Sequence, residues 1–198
     1  RMIFKVLTNR DNFIFNDTFK ESGFNFEVIS DIPDSLNSNE ILVLDITGAP
    51  SIELVETLRL KSHKFIAIID SYTDRGIPEV VKFGGGIYFY STLDKKEIPH
   101  VIRTAVEDIK VRDISHQTTH NEQELFRFIG RLVNAEKSVL IKILYGATNE
   151  TTLDVNLNRL RKKLKDPEIG NDFFRVISKN KRLHLVSQIR DYKPFPEI

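Results

Sequence analysis

The chain contains no cysteine, which excludes disulfides, thiolate nucleophiles and any cysteine-ligated zinc finger. It also lacks an apolar run near the roughly 18–20 residues needed to span a bilayer, and its start lacks a signal-peptide pattern. Together these absences lead to the expectation of a soluble, cytoplasmic protein. Internal repeats and low-complexity tracts are missing. The five histidines, His63, His100, His116, His120 and His184, show no metal-ligand spacing. No serine, histidine and acid grouping suggests nucleophilic catalysis, and no base, nucleophile and electrophile set is evident. The expectation is therefore a protein that is not an enzyme and carries no cofactor or metal. Gly84–Gly86 precedes a strand signal rather than a helix, so it reads as a tight turn and not as a phosphate loop.

What is present is ordinary in amount and uneven in distribution. Hydrophobic residues make up 40% and charged residues 29% of 198 positions, as in a globular protein large enough for one or two cores. The net charge of +1 conceals an asymmetry. Residues 1–110 carry 13 basic and 17 acidic side chains, a net of −4, while residues 111–198 carry 16 and 11, a net of +5. Between Arg159 and Arg182 nine residues are basic and three acidic. A polyanion would meet that span, although a solvated lysine-rich surface produces the same pattern.

The first half alternates apolar runs with amphipathic stretches. MIFKVLT (2–8), FNFEVIS (24–30), ILVLDI (41–46), KFIAIID (64–70) and IYFY (87–90) read as strands, the continuous runs being of the kind covered on both faces. Between them NDTFKESG reads as a short helix ended by Gly23. SIELVETLRLKS reads as a helix capped by Ser51, with Glu53, Leu54 and Leu58 on successive turns. IPEVVKF reads as a short helix, and KKEIPHVIRTAVEDIKVR as a long one with Pro99 near its front. This alternation predicts an α/β fold, a doubly wound parallel five-stranded sheet over residues 1–112. Ligands of such sheets sit at the carboxyl ends of the strands, where Asp45 and Asp70 fall. Asp11, Asp45 and Asp70 are acids that converge there, or else simply cap the next elements.

Residues 113–120 are polar and without period and read as a linker. The second half, 121–198, opens with Asn121-x-x-Glu124, a capping-box pattern, followed by Leu125, Phe128, Ile129 and Leu132 on one face. VLIKILYG reads as a second helix ending at Gly146. In TTLDVNLNRLRKKLKD (151–166), Leu153, Leu157, Leu160 and Leu164 form a buried stripe and leave Thr152, Asn156, Asn158, Arg159, Arg161, Lys162 and Lys163 on the other faces. FFRVISKNKRLHLVS follows as a basic β-hairpin with Lys179, Lys181 and Arg182 about its turn. An α-helix fits the major groove of B-DNA, where arginine reads guanine and asparagine reads adenine. Asn156, Asn158 and Arg159 are the candidate readers, and the lysines candidate phosphate contacts.

These residues resemble response regulators of the OmpR/PhoB type. The likeness is strongest at TLDVNLNRLRKKL (152–164), set against the family's recognition-helix pattern T-V-D-V-H-I-x-R-L-R-K-K-L. The resemblance implies a receiver domain joined to an α+β winged-helix domain with a C-terminal hairpin wing. It implies DNA contacts at Thr151, Asn156, Asn158, Arg159 and Arg161, and homodimerisation through the receiver. Asp45 stands at the phosphoacceptor position. The acidic pair after the first strand reads Arg10-Asp11, the switch hydroxyl position is Asp70, and Ser91-Thr92 stands where Lys-Pro is usual. The wing pattern V-R-G-x-G-Y reads VISKNK, with Ile177 in place of its arginine, and the sheet that normally precedes the first effector helix is not evident. The family's Asp-Asp at the fifth strand reads Gly86-Ile87, so a dimer is expected to use an apolar surface around Ile87, Phe89, Val101 and Ile102. The implied function is a transcriptional regulator of double-stranded DNA that does not depend on phosphorylation. The alternatives are an adaptor of winged-helix shape that does not bind DNA, and a regulator still phosphorylated at Asp45.

Overall fold

The structure is a computed structural model, which describes residues 2–48, 50–70, 86–107, 118–146, 150–172 and 174–187. The chain divides into two compact units, Arg1–Lys110 and Val111–Ile198.

In the first unit β1 (Ile3–Thr8), β2 (Asn25–Ile29), β3 (Glu40–Asp45), β4 (Phe65–Ile69) and β5 (Ile87–Tyr90) form one all-parallel sheet in the order β2-β1-β3-β4-β5. Helices α1 (Asn16–Glu21), α2 (Ile52–Leu60) and α3 (Ile98–Glu107) accompany it. The unit is thus α/β, with a switch in strand order between β1 and β3. Residues 41–45 are all within 1% of complete burial, so alternate side chains are covered on both faces of the central strands. The IPEVVKF stretch, Gly84 and Gly85 lie outside the described residues. Gly86 is described and has no room for a side chain, because a Cβ there would run into the Phe65 ring.

Phenylalanine fills the space over β1 and β2. Phe19 of α1 meets Phe4, Phe13, Phe24 and Phe26 edge-on, with ring centroids 4.9–5.7 Å apart, the geometry that sets positive ring edges against negative faces. Phe13 and Phe15 are both buried, so they anchor the segment that leads from β1 into α1. The segment's course past the sheet edge follows from that anchoring.

Ser51 caps α2 by accepting the Leu54 N–H, as its sequence pattern predicted. The buried side of α2 is Val55 and Leu58, whereas Glu53 is exposed, which corrects the expected stripe. Ile87, Phe89, Val101 and Ile102, expected on a dimer surface, are 4%, 0%, 2% and 0% exposed. They belong to the core of the unit, because β5 and α3 bury their apolar faces inward.

The second unit contains α4 (His120–Arg131), β6 (Ala135–Glu136), α5 (Lys137–Tyr145), α6 (Glu150–Lys165), β7 (Phe174–Lys179) and β8 (Arg182–Ser187). Its three strands form an antiparallel sheet in the order β6-β8-β7. Thr119, not Asn121, caps α4, since its hydroxyl accepts the Glu122 N–H, so the helix begins earlier than expected. Gly146 ends α5 at φ 61°, a left-handed conformation in which a Cβ would be strained. Lys179 pairs with Arg182 across a turn in which Asn180 and Lys181 have φ 53° and 60°. Two left-handed residues make a turn whose twist matches that of the flanking strands. Leu125, Phe126, Phe128 and Ile129 of α4 pack with the leucine stripe of α6, Phe174 of β7 and Leu183 of β8 to form the core. Among the described residues no helix is long and apolar enough to cross a membrane.

Candidate nucleic-acid interface and sheet-edge ion cluster

The four leucines of α6 are at most 2% exposed, so the helix is rotated as its spacing predicts. The opposite face presents Thr151, Thr152, Val155, Asn158, Arg159 and Lys162, all exposed. At 100° per residue, Thr151, Val155, Asn158 and Lys162 stack in one row, with Arg159 beside them. Val155 stands out in that row as a 42% exposed aliphatic residue. Sequence reasoning passed over it, although it falls off the 153-157-160-164 stripe and was therefore already placed on the solvent side.

Three residues expected on the open faces are engaged elsewhere. Asn156 is only 6% exposed and its Nδ2 donates to the Tyr145 hydroxyl at 3.1 Å, tying α6 to α5. The physical reason is its angle, about 70° from the centre of the leucine stripe, which turns the amide toward the neighbouring helix. Arg161 is half-buried, and its Nε and Nη2 both donate to the Val176 carbonyl at 3.3 and 3.2 Å. The Lys163 ammonium lies 3.6 Å from the Glu122 carboxylate, which is nearly inaccessible. These three cross-links fasten α6 to α5, β7 and α4 in turn.

Around the β7–β8 turn, Lys181 is exposed and Lys179 half-buried, while Arg182 lies 3.7 Å from Glu136. The Lys137 N–H donates to the Lys181 carbonyl at 2.8 Å. The turn is therefore held from the first residue of α5 and, through Glu136, from β6, a two-residue strand that sequence reasoning missed. Ile177 is exposed at 37%. Along α6 and β7 runs a groove of about 550 Å³, with Arg161, Lys165 and Arg175 around an apolar floor of Leu164, Phe174 and Val176.

A second cluster lies at the carboxyl edge of the five-stranded sheet. Parallel register sets Thr8 beside Asp45, and the residues just past β4 and β5 are Asp70 and Ser91. Asp45 is completely buried and accepts three hydrogen bonds, from the Thr8 hydroxyl at 3.0 Å, Arg10 Nε at 2.9 Å and the Ile14 N–H at 2.9 Å. The same guanidinium reaches Asp70 through Nη2 at 2.8 Å. Asp70 also accepts from the Ser91 hydroxyl at 3.0 Å and the Gly48 N–H at 2.9 Å. The Gly48 N–H, followed by Arg10 and Ser91, holds the Asp70 carboxyl below its usual range. Asp70, and after it Asp45, raises the Arg10 guanidinium further. Asp11, the third acid expected here, is exposed. Among the described residues no group of three histidine, aspartate or glutamate side chains is placed to hold a metal ion.

No protein-family model matches this chain, and no curated protein matches it.

Proposed function

We propose that the chain is a non-enzymatic, DNA-binding transcriptional regulator that acts in the cytoplasm, built like the OmpR/PhoB response regulators it resembles. In this reading residues 1–112 are a receiver-like domain and the second unit is a winged-helix domain. The helix–strand–helix–helix–strand–strand order of that unit, with its three-stranded antiparallel sheet, supports the comparison. The β7–β8 ladder would be its wing.

The observation that carries the proposal is the exposed face of α6. It combines a guanidinium, an amide, two hydroxyls and one aliphatic side chain on a helix otherwise pinned by its other faces. Three of these groups suit partners in the major groove. Arg159 suits guanine, Asn158 suits adenine, and Val155 suits the thymine methyl, while Lys162 and Lys181 suit phosphates. A helix that is fixed before binding loses little entropy on binding. Homodimerisation through the receiver-like unit would place two such helices on adjacent half-sites, although its surface is not the apolar set buried in β5 and α3.

Regulation in this proposal does not run through phosphorylation of Asp45. That carboxylate is buried and accepts three hydrogen bonds from the chain itself, which occupy most of its lone-pair directions and oppose its exposure to a phosphodonor.

The adaptor reading draws support from one observation, the internal use of Asn156 and Arg161, which removes two of the expected base readers. Binding to labelled duplex DNA across a salt series separates the two. The regulator requires affinity that falls steeply with salt, and a further loss of about 1–3 kcal/mol in Arg159→Ala. Equal, weak binding by wild type and Arg159→Ala would favour the adaptor.

A further inference from the structure

We propose that Arg10 is a built-in cation that clamps the carboxyl edge of the first unit in one arrangement, in place of any ion or charged group arriving from solution. The inference deepens the phosphorylation-independent part of the functional reading but does not depend on DNA binding.

A completely buried carboxylate such as Asp45 is tolerated only when paired and hydrogen-bonded. Two carboxylates facing one small space repel each other unless a cation stands between them. In many proteins such a pair is a reason to recruit a metal ion, which then comes and goes with its concentration. Here the cation is part of the chain. The Arg10 guanidinium is 22% exposed and spans the two acids, Nε on Asp45 and Nη2 on Asp70. It stays charged at any physiological pH, and its planar fork fixes the direction of both bonds.

The clamp reaches further than the ion pairs. Asp45 holds the Ile14 N–H, and so the loop between β1 and α1. Asp70 holds the Gly48 N–H, and so the loop after β3, as well as Ser91 after β5. Gly48 has φ 85°, a conformation that favours glycine; it gives its N–H to the Asp70 carboxylate and its carbonyl to the Asp70 N–H at 3.4 Å. Asn9, next to Arg10, accepts the Thr47 N–H at 2.9 Å and so adds a second tie between the same two loops. Four segments at one sheet edge thus meet through Asp45 and Asp70, and the Arg10 side chain joins those two carboxylates. Since the cation is tethered, this edge has no ligand-free state to return to.

Backbone amide exchange on the whole chain, without DNA, tests the clamp. The N–H groups of Ile14 and Gly48 report on it, because each donates to one of the bridged carboxylates. In the wild type both exchange slowly, and millimolar Mg²⁺ leaves their rates unchanged. In Arg10→Met both exchange about tenfold faster or more, while Val43 and Ile66 in the central strands keep their protection. Added guanidinium or Mg²⁺ then restores part of the loss. Arg10→Lys provides a second test should Arg10→Met not fold. An ammonium is a point charge that cannot fork, so it holds Asp45 and releases Asp70, and Gly48 speeds up while Ile14 does not. Unchanged protection of both amides in either variant would overturn the proposal. So would wild-type protection that rises with Mg²⁺.

Discussion

The most informative single substitution is Asn156→Ala, because a base reader and an internal strut respond to it in opposite ways. The amide is 94% buried and donates to the Tyr145 hydroxyl at 3.1 Å. Losing a neutral hydrogen bond of this kind costs about 1 kcal/mol net, and leaving the side-chain volume unfilled adds up to about 1 kcal/mol more. At roughly 4–8 °C per kcal/mol for a unit of this size, the thermal midpoint of the second unit should fall by about 10 °C. Tyr145→Phe removes the partner, and the double variant should recover about 1 kcal/mol relative to the sum of the single variants. Tyrosine absorbance provides an independent check. Burial already lifts the Tyr145 phenol above its usual range while the Asn156 bond pulls it down, so Asn156→Ala should raise it further. Base preference, measured by selection from random duplexes, should stay the same. An unaltered melting curve together with a changed preference at an A·T pair would refute the reasoning and return the amide to the groove.

Two further outcomes follow from buried groups. Burial pushes the His184 imidazole down to about 3, from 6.5. The unfolded chain therefore binds a proton that the folded chain refuses, so stability is fully present above about pH 6.5 and is lost as pH falls toward 3. Between pH 6 and pH 4 this loss amounts to about 2–3 kcal/mol, and denaturant titrations of His184→Leu should lack that part of the slope; parallel slopes would remove His184 as the cause. Incubation with a small phosphodonor and Mg²⁺ should leave the intact mass of the wild type unchanged, and a mass gain abolished by Asp45→Ala would show that the carboxylate is reachable after all.

The sequence was most legible where local pattern and global fold agree. Continuous apolar runs such as ILVLDI announce buried strands because no alternation is needed when both faces are covered. The leucine spacing of α6 fixed its buried side, and Gly146 its predecessor's end. Legibility failed where neighbours decide. Asn156 is polar by composition and buried by rotation, and only the position of Tyr145 on α5 settles the matter. Arg161 is a groove reader in a motif and a clip to the Val176 carbonyl in space. The strand Ala135–Glu136 has too few residues to show a period and exists because β8 lies beside it. Ile87, Phe89, Val101 and Ile102 looked like a surface because a resemblance supplied the surface, whereas their own packing puts them inside. Arg10, Asp45, Asp70 and Ser91 are far apart in the chain, and only strand register brings them to one edge.

The short β6 strand also has a consequence for the order in which the protein is made. Ala135 pairs with Leu183, and both are completely buried. As the chain emerges N-terminus first, α4, β6, α5 and α6 all leave the ribosome before the strand that closes their sheet. During that interval β6 has no strand partner, the part of α6 that meets β7 is uncovered, and so is the part of α4 that meets β8. Non-local pairing of this kind is slow to form and leaves apolar surface open while it waits. A nascent chain stopped ahead of Phe174 should therefore leave those apolar faces of α4 and α6 open, so the twelve strand residues of β7 and β8 act as the step that closes the second unit.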